Sequence, residues 1–237
     1  MKSLLMLLMC SLVFVACGDL EHSPSAPAAD DDPTMVGSYP AGSGGKTDTA
    51  EVAPGVYTSG IRTQSFELAA MPDEWGKQRM SQWCWAATLQ MVLNYHGVAI
   101  AQEDIVLRAY GGFINRPAHG VGEIAQSVTG WQFSDRQQVP WLVEAVAVEQ
   151  INVTSLLQDL HFNQPVVLAL QNEQDAGGHA YVLSAITYKV DARGRVFPLS
   201  VSLRDPWPEK PAHSVIEWSA FVRRFIGYVQ LRATPLL

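Results

Sequence analysis

The chain has 237 residues, a formal net charge of −7 at neutral pH and 48% hydrophobic residues. The acidic balance, without any stripe of lysine and arginine, disfavours nucleic acid as a partner. The part expected to fold is large enough for one domain with a substantial core, and no repeat at a solenoid period divides it.

The N-terminal segment, residues 1–16, has the pattern of an export signal. A lysine is followed by an apolar run that ends at Ala16, which is typical of secretory signals and too short for a membrane span of about 20 residues. Residues 14–17, FVAC, resemble the lipobox of bacterial lipoproteins. Cys17 is therefore the predicted lipidation site, which implies an exported lipoprotein of the cell envelope, at the outer membrane or cell surface, or released from it. An ordinary signal peptide cut near Ala16 is the alternative.

Residues 17–60 are predicted to be a disordered linker. They are dense in Pro, Gly, Ser, Ala and Asp and poor in large apolar side chains, so they cannot bury enough surface to offset the entropy of ordering. The folded domain is expected to span residues 61–237. No later segment is apolar enough to cross a bilayer, so we expect membrane association through the lipid only.

Helices are predicted for the first half of this domain. Residues 84–96 have apolar side chains at helical spacing and are followed by Gly97, which suits a C-terminal cap. Since other faces of this helix are also apolar, we expect it to be buried at the centre of the domain. Further helices are predicted over residues 102–110, 121–128 and 154–161, the last with Thr154 as its N-cap.

Strands dominate the second half. Runs rich in β-branched residues, separated by Gly, Asp and Pro, predict strands over 165–171, 179–190, 196–205, 214–218 and 225–232, and an extended piece covers 141–148. Helices followed by an antiparallel sheet indicate an α+β fold with an N-terminal helical lobe and a C-terminal sheet lobe.

Cys84 is the only cysteine of the predicted domain, because Cys10 and Cys17 lie in the signal and the lipobox. Exported domains normally pair their thiols, so a lone thiol is either a buried inert residue or a reactive nucleophile. Its position at the start of a helix, where free N–H groups favour negative charge, suits a nucleophile.

A thiol nucleophile needs a histidine within reach. His96 lies at the far end of the same helix, about 18 Å away at 1.5 Å per residue, and is excluded. His179 opens a predicted strand after two glycines that leave room for a substrate backbone, and it is the preferred base. His119, in a Gly/Pro loop, stays open as an alternative.

The base needs an orienting group, and the oxyanion of acyl transfer needs hydrogen-bond donors. Asp205 ends a predicted strand that can pair beside that of His179, and Trp207 could cover their bond from water. Gln78, six residues before the cysteine, is the expected oxyanion donor together with the Cys84 N–H.

The neighbours of Cys84 receive structural roles. Gln82, two residues before it, is expected to cap the helix, and Trp83 and Trp85 are expected to be packing residues. The pocket for the substrate side chain is expected to be shaped by loops 111–120 and 137–141.

The motifs resemble those of papain-like cysteine peptidases: Gln78, Cys84-Trp85 at a helix start, Gly178-His179-Ala180 on a strand, and Asp205-x-Trp207. The patterns QxxxxxCWAA and GGHA are similar to the bacterial branch near staphopain and the peptidases that cut double-glycine leaders. The resemblance covers residues 66–234 and implies a papain-like two-lobe fold. Papain itself has Asn where this chain has Asp205.

This resemblance implies an exported peptidase that hydrolyses peptide bonds through a thioester acyl-enzyme. It makes Cys84 the nucleophile, His179 the base, Asp205 the orienting residue and Gln78 the oxyanion donor. Substrate contacts are expected from Trp85, Gly178 and Trp207.

Two other functions stay open from the sequence alone. An acyltransferase or amidase could use the same site, although cell-wall amidases usually have Asp-Cys-Ser where this chain has Trp-Cys-Trp. An inactive surface-binding module could keep the fold, although every expected catalytic position is filled. Neither HExxH nor CxxC is present, so no metal or other cofactor is expected. We expect a monomer that acts on peptides or proteins.

Overall fold

The computed structural model describes residues 49–61, 66, 76–134, 138–173 and 177–236. The predicted signal segment, Cys17 and most of the predicted linker lie outside these residues. The described residues form one nine-stranded sheet and five helices, which confirms the prediction of a mixed fold with a large antiparallel sheet.

The elements are numbered in chain order. The strands are β1 Ala50–Ala53, β2 Val56–Gly60, β3 Trp131–Ser134, β4 Pro140–Val148, β5 Val166–Gln171, β6 Gly178–Val190, β7 Val196–Arg204, β8 His213–Glu217 and β9 Phe225–Pro235. The helices are α1 Cys84–Tyr95, α2 Gln102–Tyr110, α3 Val121–Val128, α4 Val153–His161 and α5 Trp218–Arg224. None of these helices is long and apolar enough to cross a bilayer.

Strand β6 is the centre of the sheet. The strand order is β1-β2-β6-β5-β9-β4-β3, with β7 beside β6 and β8 beside β7, and all pairs are antiparallel. Pairing with β7 reaches along β6 to Val182, which lies opposite Arg204. The chain therefore leaves the sheet at Asp205, next to the first residues of β6, where His179 lies.

Helix α1 is buried along most of its length, as predicted. All nine residues from Trp85 to Leu93 are buried, so the helix is surrounded by core on every side. It ends at Tyr95, and Gly97 follows with φ +90°, a conformation that favours glycine. The helix packs against β6 and β5.

The start of α4 corrects one prediction. Asn152, not Thr154, is its N-cap, and the Asn152 Oδ1 accepts a hydrogen bond from the Ser155 N–H at 3.0 Å. The oxygen of an N-cap side chain reaches the amide three residues later, so Asn152 caps a helix that begins at Val153.

Residues 50–60 correct the predicted linker, because they form β1 and β2. Strand β2 pairs with the second half of β6, and Thr58 and Ser59 are each only 3% exposed. The Thr58 and Thr187 hydroxyl oxygens lie 3.0 Å apart. Backbone pairing with β6 and small buried polar side chains stabilise this segment, and a search for large apolar residues misses it.

Candidate active site

Cys84 is the first residue of α1 and is a half-buried free thiol. The N-terminal N–H groups of a helix have no acceptor within the helix, so the sulfur lies beside the positive end of the helix dipole. Trp83 is the N-cap residue, and no side chain caps the helix. The prediction that Gln82 caps it is therefore wrong; Gln82 is exposed and lines a cleft next to Cys84.

The structure brings Cys84, His179 and Asp205 together. His179 Nε2 lies 2.8 Å from Asp205 Oδ1, and both side chains are largely buried, with exposed fractions of 11% and 13%. Cys84 lies beside the same ring, since both residues line one cleft and the thiol acts on the pKa of His179. Since Nε2 faces the carboxylate, Nδ1 is the ring nitrogen that remains for the sulfur.

The pKa of His179 is raised from 6.5 to about 9 by its partners. Burial alone is the largest single effect and lowers the pKa, because it disfavours the charged ring. The hydrogen bonds to Asp205 and Cys84, and the negative charges of both, together outweigh burial. His179 therefore holds both of its protons at neutral pH.

The backbone on either side of Asp205 orients its carboxylate. Asp205 Oδ1 accepts a second hydrogen bond from the Trp207 N–H at 2.9 Å. The Asp205 N–H donates to the Ala212 carbonyl oxygen at 2.8 Å. An Asp side chain that bonds the N–H two residues later is a common turn motif, so the Asp-Pro-Trp turn itself directs the carboxylate at His179.

Two aromatic side chains pack against the His179 ring. The Trp207 and His179 ring centroids lie 6.0 Å apart with an interplanar angle of 67°, and those of Tyr181 and His179 lie 4.6 Å apart at 84°. The sequence pattern did not single out Tyr181. Its position two residues after His179 on the same strand puts both side chains on one face, and this alternation was the available signal.

Gln78 is 5% exposed and bonded within its own turn. Its Nε2 donates to the carbonyl oxygens of Met80 and Ser81, at 3.0 and 3.1 Å. Both amide hydrogens therefore point into the turn before α1, and Gln78 does not line the cleft.

A cleft of about 540 Å³ opens beside Cys84 and His179. Apart from these two groups, the lining side chains among the described residues are uncharged and mostly small or apolar. They belong to Gln82, Trp85, Pro117, Ala118, Gly120, Ile124, Ala169, Asn172, Gly177, Gly178, Ala180 and Ile226. Loop 111–120 thus contributes to the cleft as expected, whereas residues 138–141 of the second expected loop do not. Of the three expected substrate contacts, Trp85 and Gly178 line the cleft and Trp207 does not.

The two tryptophans beside Cys84 hold one wall of this cleft. Both are buried, as expected for packing residues. In addition, Trp83 Nε1 donates to the Ile114 carbonyl oxygen at 2.9 Å, and Trp85 Nε1 donates to the Arg116 carbonyl oxygen at 3.1 Å. Asn115 Oδ1 accepts from the Gln82 N–H at 2.9 Å. The start of α1 is therefore bonded directly to the loop that forms the wall.

The described part of the chain contains no group of side chains suited to bind a metal ion. No three His, Cys, Asp or Glu side chains gather there in a way that could hold a metal ion.

A thiol beside a histidine that a third group orients is the arrangement of an activated nucleophile. Residues 68–232 match the sequence model of the Peptidase_C39 like family. The match covers more than half of the chain and includes Cys84, His179 and Asp205, and the protein belongs to this family. No curated protein sequence matches the chain.

Proposed function

We propose that this protein is a cysteine peptidase that hydrolyses peptide bonds through a thioester acyl-enzyme. The observation that carries the proposal is that Cys84 and His179 line the same cleft, where Asp205 is hydrogen-bonded to His179. Membership of a cysteine peptidase-like family supports the same reaction class and peptide or protein substrates.

The charges of the site suit the first step. With its pKa at about 9, His179 is an imidazolium at neutral pH and holds the proton that the leaving amine needs. The thiolate attacks the scissile carbonyl carbon, and the carbonyl electrons move to the oxygen. As the C–N bond breaks, His179 donates its proton to the leaving amine, which leaves a thioester on Cys84.

Hydrolysis of the thioester reverses the proton movement. Neutral His179 removes a proton from water, the resulting hydroxide attacks the thioester carbonyl, and the C–S bond breaks to restore the thiolate. Asp205 keeps Nε2 of the ring bonded throughout, so that Nδ1 stays directed at the reacting atoms.

The oxyanion is assigned to the Cys84 N–H and the Gln78 amide. The first group lies at the helix start, where no helical acceptor competes. The second donates to Met80 and Ser81 in this structure, so it must release one of these bonds to bind the oxyanion.

The arrangement of the site also supports a papain-like two-lobe plan. Cys84 lies on α1, His179 and Asp205 lie on or beside β6 and β7, and the cleft has lining residues from both sets of elements. The patterns QxxxxxCWAA and GGHA support a position near staphopain and the double-glycine-leader peptidases.

The cleft favours peptides with uncharged apolar side chains next to the scissile bond. Among the described residues, Ile124, Ala169 and Ile226 offer no compensating partner to a charged side chain buried against them. In a peptide panel varied at each position beside the scissile bond, one position is expected to prefer apolar over charged residues by about tenfold or more in kcat/KM.

Ile226 provides the matched variant for this panel. A Cβ on Gly178 would lie 3.1 Å from Ile226 Cδ1, so the two residues are direct neighbours in the lining of the cleft. Ile226→Ala should shift the preference toward larger side chains, whereas Val222→Ala, outside the cleft, should leave it unchanged. A panel without any apolar preference would contradict the assignment of the cleft. Product masses from the same reactions distinguish hydrolysis from acyl transfer.

Lipid anchoring at Cys17 is part of the proposal and rests on the FVAC pattern. In cells fed labelled palmitate, the full chain and its Cys10→Ala variant are expected to incorporate label, and Cys17→Ala is expected to lose it. Equal labelling of Cys17→Ala and the unmodified chain would exclude this anchor.

A further inference from the structure

The segment before α1 is bonded to the loop after β7 through Lys77. Its Nζ donates to the carbonyl oxygens of Asp205, Trp207 and Lys210, at 3.2, 3.0 and 3.1 Å. These three convergent acceptors match the three hydrogens of an ammonium group. The Gln78 N–H adds a further bond to the same loop, at 2.8 Å from the Pro206 carbonyl oxygen.

The backbone of Lys77 is itself held from α2. Gln102 is completely buried; its Nε2 donates to the Lys77 carbonyl oxygen at 2.8 Å, and its Oε1 accepts from the Arg79 N–H at 3.1 Å. The Lys77 ammonium group therefore extends from a backbone that Gln102 holds in place. Its bonds to the loop after β7 fix where the segment before Cys84 lies relative to that loop.

The loop that Lys77 binds is the one that directs the Asp205 carboxylate. Two of its three acceptors are the carbonyl oxygens of Asp205 and Trp207, and the Trp207 N–H bonds Asp205 Oδ1. That oxygen also bonds His179 Nε2. A displacement of the loop would therefore turn the carboxylate away from the imidazole.

We propose that Lys77 is a positioning residue for the active site. It joins the segment that leads to Cys84 to the loop that orients His179 through Asp205, and so fixes the distance between nucleophile and base. The inference rests on the proposed function, since it takes Cys84 and His179 as the reacting pair. Lys77 does not contact the reacting atoms, and no family pattern in the sequence marks it.

The test is the pH dependence of Cys84 alkylation in the full chain, with the label located by peptide mapping. A free cysteine has a pKa of about 8.5, so ordinary thiols react slowly with iodoacetamide at neutral pH. Lys77→Met is expected to slow the alkylation of Cys84 at neutral pH by about 10-fold to 100-fold. It is also expected to leave the rate at high pH unchanged, because every accessible thiol is ionised there. Lys189→Met, at the exposed far end of β6, serves as the matched control.

A thermal melt of each variant separates positioning from mere stability, because an unfolded chain would also expose Cys84 as an ordinary thiol that reacts slowly at neutral pH. An alkylation profile of folded Lys77→Met equal to that of the unmodified chain would overturn the proposal. If Lys77→Met does not fold, Lys77→Arg is expected to change the profile in the same direction by a smaller amount, because its donors lie in one plane; an unchanged profile there also overturns it. Alkylation needs no peptide cleavage, so an altered profile in a protein that hydrolyses no peptide would reject the proposed function alone.

Discussion

Replacement of Cys84 with Ala is expected to abolish peptide hydrolysis, with a fall in kcat on the order of 10⁴-fold or more. The side chain is small and half-buried at the start of a helix, and Ala is a good helix residue, so the variant should fold. Cleavage of a peptide mixture followed by mass spectrometry, together with a thermal melt of the variant, measures both expectations. A Cys84→Ala variant that cleaves at the rate of the unmodified chain would exclude the thiol mechanism.

The histidines supply the control for this experiment. His179→Ala removes the group bonded to Cys84 and should lower kcat by about 10²-fold to 10⁴-fold. His119, the alternative left open by the sequence, does not line the cleft, and His119→Ala should retain activity. Loss of activity in His119→Ala, with activity retained in His179→Ala, would instead identify His119 as the base.

Replacement of Asp205 with Asn is expected to move the alkaline limit of activity to lower pH. In the unmodified chain kcat/KM should fall as the pH rises through about 9, because His179 then loses the proton that the leaving amine needs. Burial favours the neutral ring and is opposed by Asp205 and Cys84. Without the carboxylate charge, the lowering effect of burial is opposed less strongly, so the pKa of His179 falls.

The same pKa predicts a pH-dependent contribution to stability. Because the pKa of His179 in the folded protein lies above 6.5, its protonation stabilises the fold fully below that pH, and the contribution is lost as the pH rises through about 9. The melting temperature of Asp205→Asn should therefore change less over this range. Asp191→Asn, in the turn after β6, should behave like the unmodified chain in both measurements. An alkaline limit that stays in place in Asp205→Asn would show that Asp205 does not act on His179.

Helices α1 and α2 could be predicted because their signals are local. Gly97 and Gly111 both have positive φ angles just after these helices, and the predicted bounds agree with the observed ones to within one residue. Helix α5 was not predicted, and its first residue, Trp218, falls in the predicted strand 214–218. Strand β2 depends instead on a partner far along the chain, β6. Thr58, for example, pairs with Thr187, and nothing within residues 50–60 indicates that partner.

The residues of the candidate active site differ in the same way in how far the sequence could predict their positions. Cys84, His179 and Asp205 lie at or next to the ends of strongly patterned elements, so their convergence could be anticipated. The contacts of Lys77 and the direction of the Gln78 amide depend on turn conformations that have no periodic signal. The structure therefore adds the groups that fix the geometry, and the sequence identifies those proposed to react.

In the proposed reaction, Cys84 forms a covalent thioester with the acyl part of a substrate. Intact-mass spectrometry during turnover of an activated peptide ester, with acid quenching and peptide mapping, measures this directly. A transient mass increase equal to the acyl group is expected on Cys84 and is expected to be absent from Cys84→Ala. Turnover without any acyl group on Cys84, or an equal acyl adduct in Cys84→Ala, would contradict it.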